Sequence, residues 1–262
     1  MASTVEGTTE RTFVGVGTMV FVTNRRLLDG SSVPNVKRVA CLANSRKLSG
    51  RCIAGIEFSN GIPGGWIRPI SARATEEVSE YERQFEDGSD PRVLDLIDIP
   101  LLAHKPRYFQ SENWLLDPTY YWVKVGSLTA SDLDEQVAGE GPLWINESST
   151  AKGRLDRIAL QDAKLLTSSL KLIAVQEVIL RVSAPHPDFD SRRRVQARFE
   201  YGGDSYGLRV TDPVYERRFL QMPDGEYRLG AGFLTISLGE PFQDFVYKLV
   251  AAIVEREPSH VR

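Results

Sequence analysis

Short apolar runs broken by turn residues, with no long amphipathic helices alternating between them, constrain this chain most. Residues 37–43, 51–58 and 65–70 have strand length and strand content. Around them stand Asp29-Gly30, Pro34-Asn35, Asn60-Gly61 and Pro63-Gly64-Gly65, the residues of tight β connections. An earlier run, residues 13–22, reads as a first strand. It follows Glu6 and Glu10 rather than a basic leader, and it is too short to cross a bilayer.

Further along, residues 73–85 are Glu-rich with weak helical spacing, and residues 93–102 read as another strand. Residues 108–122 hold too many turn residues for one regular element, and 130–137 fit a short helix. Residues 146–154, rich in Ser, Thr and Gly, make the best linker. After them β-signals resume at 169–183, at 194–201 and 206–211 flanking Gly202-Gly203-Asp204-Ser205, and at 227–238, with Gly230 and Gly232 at bulge positions. Phe242, Phe245, Val246, Leu249, Ile253 and Val254 fall on one helical face, so residues 241–257 predict a closing helix with Pro241 in its first turn. The expected fold is mainly β: two consecutive small antiparallel barrels of the OB type with a C-terminal helix. The first spans 12–147 and carries an acidic insert; the second spans 155–262. A β-sandwich is the structural alternative.

The net charge of −3 conceals an asymmetry. Residues 25–73 hold nine Lys/Arg against two Asp/Glu, and residues 74–147 hold five against sixteen. A basic block of this kind creates a local positive field, unless the acidic block neutralises it in the fold. Two cysteines, Cys41 and Cys52, argue against a disulfide scaffold and fit a reducing, cytoplasmic compartment.

The basic block contains the candidate site. Arg46, Lys47, Arg51 and Arg68 are placed to bind phosphates, or else to decorate a solvated barrel rim. Asn44 opens a turn, Asn-Ser-Arg-Lys-x-x-Gly, that resembles a small anion-binding nest. Trp66, among glycines, is either a platform for a stacked base or the plug of a barrel end. A second cluster, Arg192 to Arg194 with Arg198, precedes Phe199 and Tyr201. Such interleaving of basic and aromatic residues suits single strands. Strand alternation turns Phe199 and Tyr201 together, away from Arg198, so one or both pack in a core instead.

Catalytic and metal chemistry are poorly served. His104, His186 and His260 stand far apart, and neither cysteine has a ligand-spaced partner. There is no nucleophile elbow and no paired metal-binding histidine motif. Asp95, Glu112 and Asp212 are the acids left for a hydrolase or transferase. Asp212 reads better as a turn residue before Pro213, and Glu240 as an acid at the start of the last helix.

Several stretches resemble a bacterial family of dual OB-containing domains: residues 41–47, 50–55 and 65–71, Gln110-Ser-Glu-Asn113, Leu143-Trp-Ile-Asn146, 206–213 and 237–254. The resemblance implies two OB-like barrels and an association with prokaryotic defence or nucleic-acid-processing systems. It carries over no catalytic motif and no cofactor. The expected function is a non-catalytic nucleic-acid-binding or sensing module, an accessory protein with single strands as the favoured ligand and a partner protein of the same operon. The alternatives are a small-nucleotide sensor and a protein-interaction scaffold. No membrane partner is expected.

Overall fold

Turn residues separate strands that close into two barrels of the same design. The computed structural model describes residues 26–28, 35–59, 61–184 and 193–256. The expected strand at 13–22 lies outside these. The first half holds β1 (Val36–Lys47), β2 (Gly50–Ser59), β3 (Ile62–Ile70), β4 (Asp95–His104), β5 (Asn113–Leu116) and β6 (Val123–Ser127). The second half holds β7 (Arg157–Ala159), β8 (Leu170–Ser183), β9 (Arg194–Tyr201), β10 (Asp204–Val210), β11 (Gly225–Leu238) and β12 (Phe245–Glu255).

The sheet orders are β1-β2-β3-β5-β4-β6 and β10-β9-β8-β11-β12-β7. Pairing of β1 with β4 closes the first, and pairing of β10 with β12 closes the second. Counted from its own first strand, each barrel therefore runs 1-2-3-5-4-1. In each, the third and fifth strands are parallel, β3 with β5 and β10 with β12. A short helix fills the crossover after the third strand: α1 (Glu80–Arg83) in one barrel, and in the other α3 (Pro213–Leu220), which follows the four-residue α2 (Leu160–Ala163) in the chain. These are two OB-like barrels in tandem.

The expected C-terminal helix is instead the strand β12. Val250 and Ile253 point into the second barrel's core, Lys248 is buried near the Tyr206 ring, Val246 packs with Phe109, Ile158 and Leu238, and Ala251 packs against the first barrel. A strand buried on both faces reads as a continuous apolar run, and over this length it mimics helical spacing. Glu240 therefore heads no helix. Conversely, α3 was not expected. Asp212 caps it, accepting from the N–H of Val214 at 2.8 Å and of Tyr215 at 3.3 Å, with Pro213 at its first turn. The Glu-rich stretch yields only α1, 130–137 forms a 3₁₀ helix (Ala130–Gln136), and 108–122 contains the closing strand β5. The β9–β10 hairpin turns on Gly202 and Gly203, with φ +58° and +84°; both central positions need the left-handed region, which glycine supplies at no steric cost.

The barrels stack wall to wall. Leu42, Ala43, Ala54, Ile56 and Trp66, on the outside of β1–β3, meet Leu170, Leu172, Phe233 and Ala251 of the second barrel. A hydrogen bond from Thr235 Oγ1 to Leu42 O (2.6 Å) crosses the same seam. Leu143 and Trp144 pack onto the second barrel's core. No helix among the described residues is long and apolar enough to cross a membrane.

Candidate nucleic-acid interface

In OB barrels the outer surface of the second and third strands is the usual ligand face. In the first barrel that surface is covered by the second. In the second barrel it is open among the described residues. Alternation along β9 sends Val195, Ala197 and Phe199 inward and Arg194, Gln196 and Arg198 outward. Register then aligns outward neighbours: Arg181 of β8, Gln196 of β9 and Arg209 of β10 form one row across the sheet. Arg198 stands in the next row, between Ile179 and Gly207.

The segment before β7 lies alongside. Arg154 and Gly207 exchange backbone hydrogen bonds at 3.1 and 3.0 Å, and Gln196 Nε2 donates to the Lys152 carbonyl at 2.6 Å. Between this segment and the strands runs a cleft of about 600 Å³ lined by Lys152, Arg154, Gln196 and Arg198, with Glu177 and Glu200 among its acids. A second, of about 480 Å³, takes in Arg181, Arg194 and Arg209, with Asp156. Burial lowers the Arg194 pKa, and the nearby Arg209 charge lowers it further. Arg198 pairs with Glu226 at 2.7 Å, both partners exposed. Arg181 and Arg209 pair with no carboxylate among the described residues.

The residues expected from the basic block are placed differently. Asn44, Arg46 and Lys47 lie on β1 and form no nest; β1 and β2 join through a tight hairpin with Arg46 opposite Arg51 and Lys47 opposite Gly50. Asn44 Nδ2 donates to the Pro91 carbonyl at 2.7 Å. Arg46 lies 3.1 Å from Glu216, and Lys47 lies 3.0 Å from Glu240. Arg68 is 4% exposed and is held by Glu112 and Ser169, so it offers no surface to a phosphate. Arg51 alone of this set has no carboxylate within ion-pair distance among the described residues. Trp66 packs between the barrels rather than presenting a platform. Tyr201 is half-buried against the second core and donates to the Gly139 carbonyl at 2.7 Å. Of the expected residues, the structure brings Arg194 and Arg198 to the open face; it adds Lys152, Arg154, Arg181 and Arg209. The last two were detectable as lone cations alternating with apolar residues in a strand. Lys152 and Arg154, in the linker stretch, gave no such signal.

The three acids considered for catalysis each have their own partners. Asp95 holds Lys124 at 2.5 Å, Glu112 holds Arg68, and Asp212 caps α3 and accepts from the Ile253 N–H. No group of three or more His, Cys, Asp or Glu side chains among the described residues is arranged to hold a metal.

Among solved structures, the tetrameric p202 HIN2 crystal structure aligns with 85% of this chain and 92% of its own, at 8% identity and a TM-score of 0.27. No curated protein matches the sequence significantly. The profile of the dual OB-containing domain matches residues 37–253. That match spans both closed barrels, and the chain belongs to the dual OB-containing domain family.

Proposed function

We propose that the chain binds nucleic acid through the outer face of β8, β9 and β10. The observation that supports this reading is the alignment of Arg181, Arg194, Arg198 and Arg209 on the one strand-2/strand-3 surface that barrel stacking leaves open. Arg181 and Arg209 flank Gln196 in one row, with Arg194 and Arg198 in the rows on either side, and guanidinium groups spread over one face in this way match the charge of successive phosphates. The aromatic residues of β9 and β10 point inward, Phe199 stacked on Tyr206 at 5.4 Å. Contact is therefore made mainly to the backbone, and sequence preference is weak. The proposed role is non-catalytic. Service as an accessory protein in a prokaryotic defence or nucleic-acid-processing system is the part of the proposal supported by family resemblance.

Fluorescence anisotropy with labelled oligothymidylate and a labelled duplex tests it. Affinity should fall steeply between about 50 and 200 mM salt, because each neutralised phosphate releases counterions. Arg181→Gln and Arg209→Gln should each weaken binding by a similar factor on every sequence and reduce the salt slope by about 1. Salt-independent binding, or full affinity in the double variant, overturns the assignment.

A further inference from the structure

We infer, resting on the nucleic-acid reading of the β8–β10 face, that residues 149–156 are a preformed jaw of that face, which sets Arg154 across Gly207 from Arg198 so that the cleft they line seats one backbone phosphate. Asp156, Thr150 and Gln196 are its positioning residues; none of them needs to touch the ligand.

Register places the two arginines. Arg198 on β9 stands opposite Gly207 on β10. Arg154 is bridged antiparallel to Gly207 on the other side, through backbone hydrogen bonds of 3.1 and 3.0 Å. Residues paired across antiparallel strands share a face, so Arg198 and Arg154 flank Gly207 on the outside of the sheet. Gly207 has no side chain to keep them apart. A Cβ there would stand 3.3 Å from Arg154 N, and 3.4 Å from both Arg154 Cβ and Gln196 Nε2. Glycine at this position lets the jaw and Gln196 close over β10. The cleft of about 600 Å³ is lined by both arginines.

The jaw is fixed by its own hydrogen bonds. Asp156, 9% exposed, accepts from the Thr150 N–H and the Thr150 hydroxyl at 2.7 Å each. The Thr150 hydroxyl oxygen accepts in turn from the Gly153 N–H at 2.8 Å, and Ser149 Oγ accepts from the Leu155 N–H at 2.8 Å. A Cβ on Gly153 would overlap the Asp156 carboxylate. Asp156 O accepts from the Lys248 N–H at 2.8 Å, which anchors the bracket to β12. On the sheet side, Gln196 Nε2 donates to Lys152 O at 2.6 Å and to Gly207 O at 3.2 Å. Ordering these groups in advance lowers the entropic cost of binding.

Charge favours a phosphate here. Of the acids on this cleft, Glu177 is held by Arg228, and Glu200 lies one row beyond Arg198, opposite Ser205. Arg198 has the exposed Glu226. The exposed Arg154 has no carboxylate within ion-pair distance among the described residues. A phosphate offers bidentate acceptors that guanidinium groups match.

Fluorescence anisotropy of the full chain with labelled oligothymidylate, well below each variant's melting temperature, tests the jaw. Arg154→Gln should weaken binding about tenfold and lower the salt slope by about 1. Gly207→Ala removes no charge but presses on the jaw, and should weaken binding as well. Thr150→Val breaks the bracket. In that background the effect of Arg154→Gln should shrink to about twofold or less, while Arg209→Gln keeps its full effect. Thr150→Ser restores the hydroxyl and should bind like the parent. Loss of stability alone would lower the melting temperature without erasing the Arg154 effect. Arg154 is exposed, so its variant keeps the test available if Thr150→Val does not fold. Parent-like affinity and salt slope in Arg154→Gln, where Arg209→Gln loses both, overturn the jaw and leave the face standing. Equal Arg154 effects in the parent and in Thr150→Val overturn the positioning role. Absence of salt-dependent binding by the parent overturns the face, and the jaw with it.

Discussion

Arg68 Nη2 lies 3.1 Å from Glu112 Oε1, with the two side chains 4% and 3% exposed. Ser169 is hydrogen-bonded to both. Arg68 is on β3, Glu112 precedes β5, and Ser169 precedes β8, so one buried triad ties the first barrel to the second. Removing one partner strands the other charge. Arg68→Met should destabilise the chain by about 3–5 kcal/mol, and Arg68→Met with Glu112→Leu should recover part of that loss. Urea unfolding of the three proteins measures it. Equal losses in the single and double variants would mean that the pair contributes nothing beyond packing.

Trp66 separates two roles that the sequence left open. It packs with Leu42, Ile56, Leu172 and Phe233 where the barrels meet. Trp66→Ala should therefore cost roughly 3 kcal/mol of stability through a cavity in the seam. Oligothymidylate affinity, measured well below the melting temperature, should stay within about twofold of the parent, whereas loss of a stacking platform removes about 1–3 kcal/mol of binding per base.

Local pattern carried the strands but not the partners. The period-2 alternation of β9 and the Gly202-Gly203 turn were readable because register and turn chemistry are local. So was the bulging of β11, whose pairing with β8 shifts at Gly230 and Gly232. The last strand was not, because burial on both faces erases alternation. Asp212-Pro213 was seen as a turn although it also fits the start of a helix; α3 has only eight residues and too little periodicity to decide the matter. The fate of the basic block depended on contacts no local pattern holds: Lys47 meets Glu240, 193 positions away. The charge blocks do not simply cancel. Glu112 of the acidic insert holds Arg68, but Arg46 and Lys47 find acids of the second barrel.

Cys41 is 1% exposed, and burial, with Asp95 nearby, pushes its thiol up to about 12. The thiolate is the reactive form. In the native chain at pH 8, iodoacetamide should modify Cys41 only as fast as the chain opens. Mass spectrometry of labelled peptides with and without urea reads this. Rapid native labelling at Cys41 would place it at the surface and contradict the packing of the first core.

Lys248 makes the second barrel pH-sensitive. Its side chain points into the barrel interior, where Nζ donates to Ile145 O at 2.7 Å and Asn146 Oδ1 at 2.6 Å below the Tyr206 ring. Burial lowers its pKa to about 7, with Asp156 and Asp204 opposing. In the unfolded chain a lysine titrates near 10.4. Between those values the unfolded state binds more protons than the folded one, so this residue makes stability rise with pH from about 7 upward. Below 7 both states are protonated and the burial penalty is constant. Over two pH units the gain is on the order of 2–3 kcal/mol. Denaturant unfolding at pH 7 and pH 9 should show that gain in the parent relative to Lys248→Met, which retains every other titrating group. The variant also leaves Ile145 O and Asn146 without their donor, an offset of about 1–3 kcal/mol that is the same at both pH values. Identical pH dependence in the two proteins would show that Lys248 keeps an ordinary lysine pKa inside the barrel.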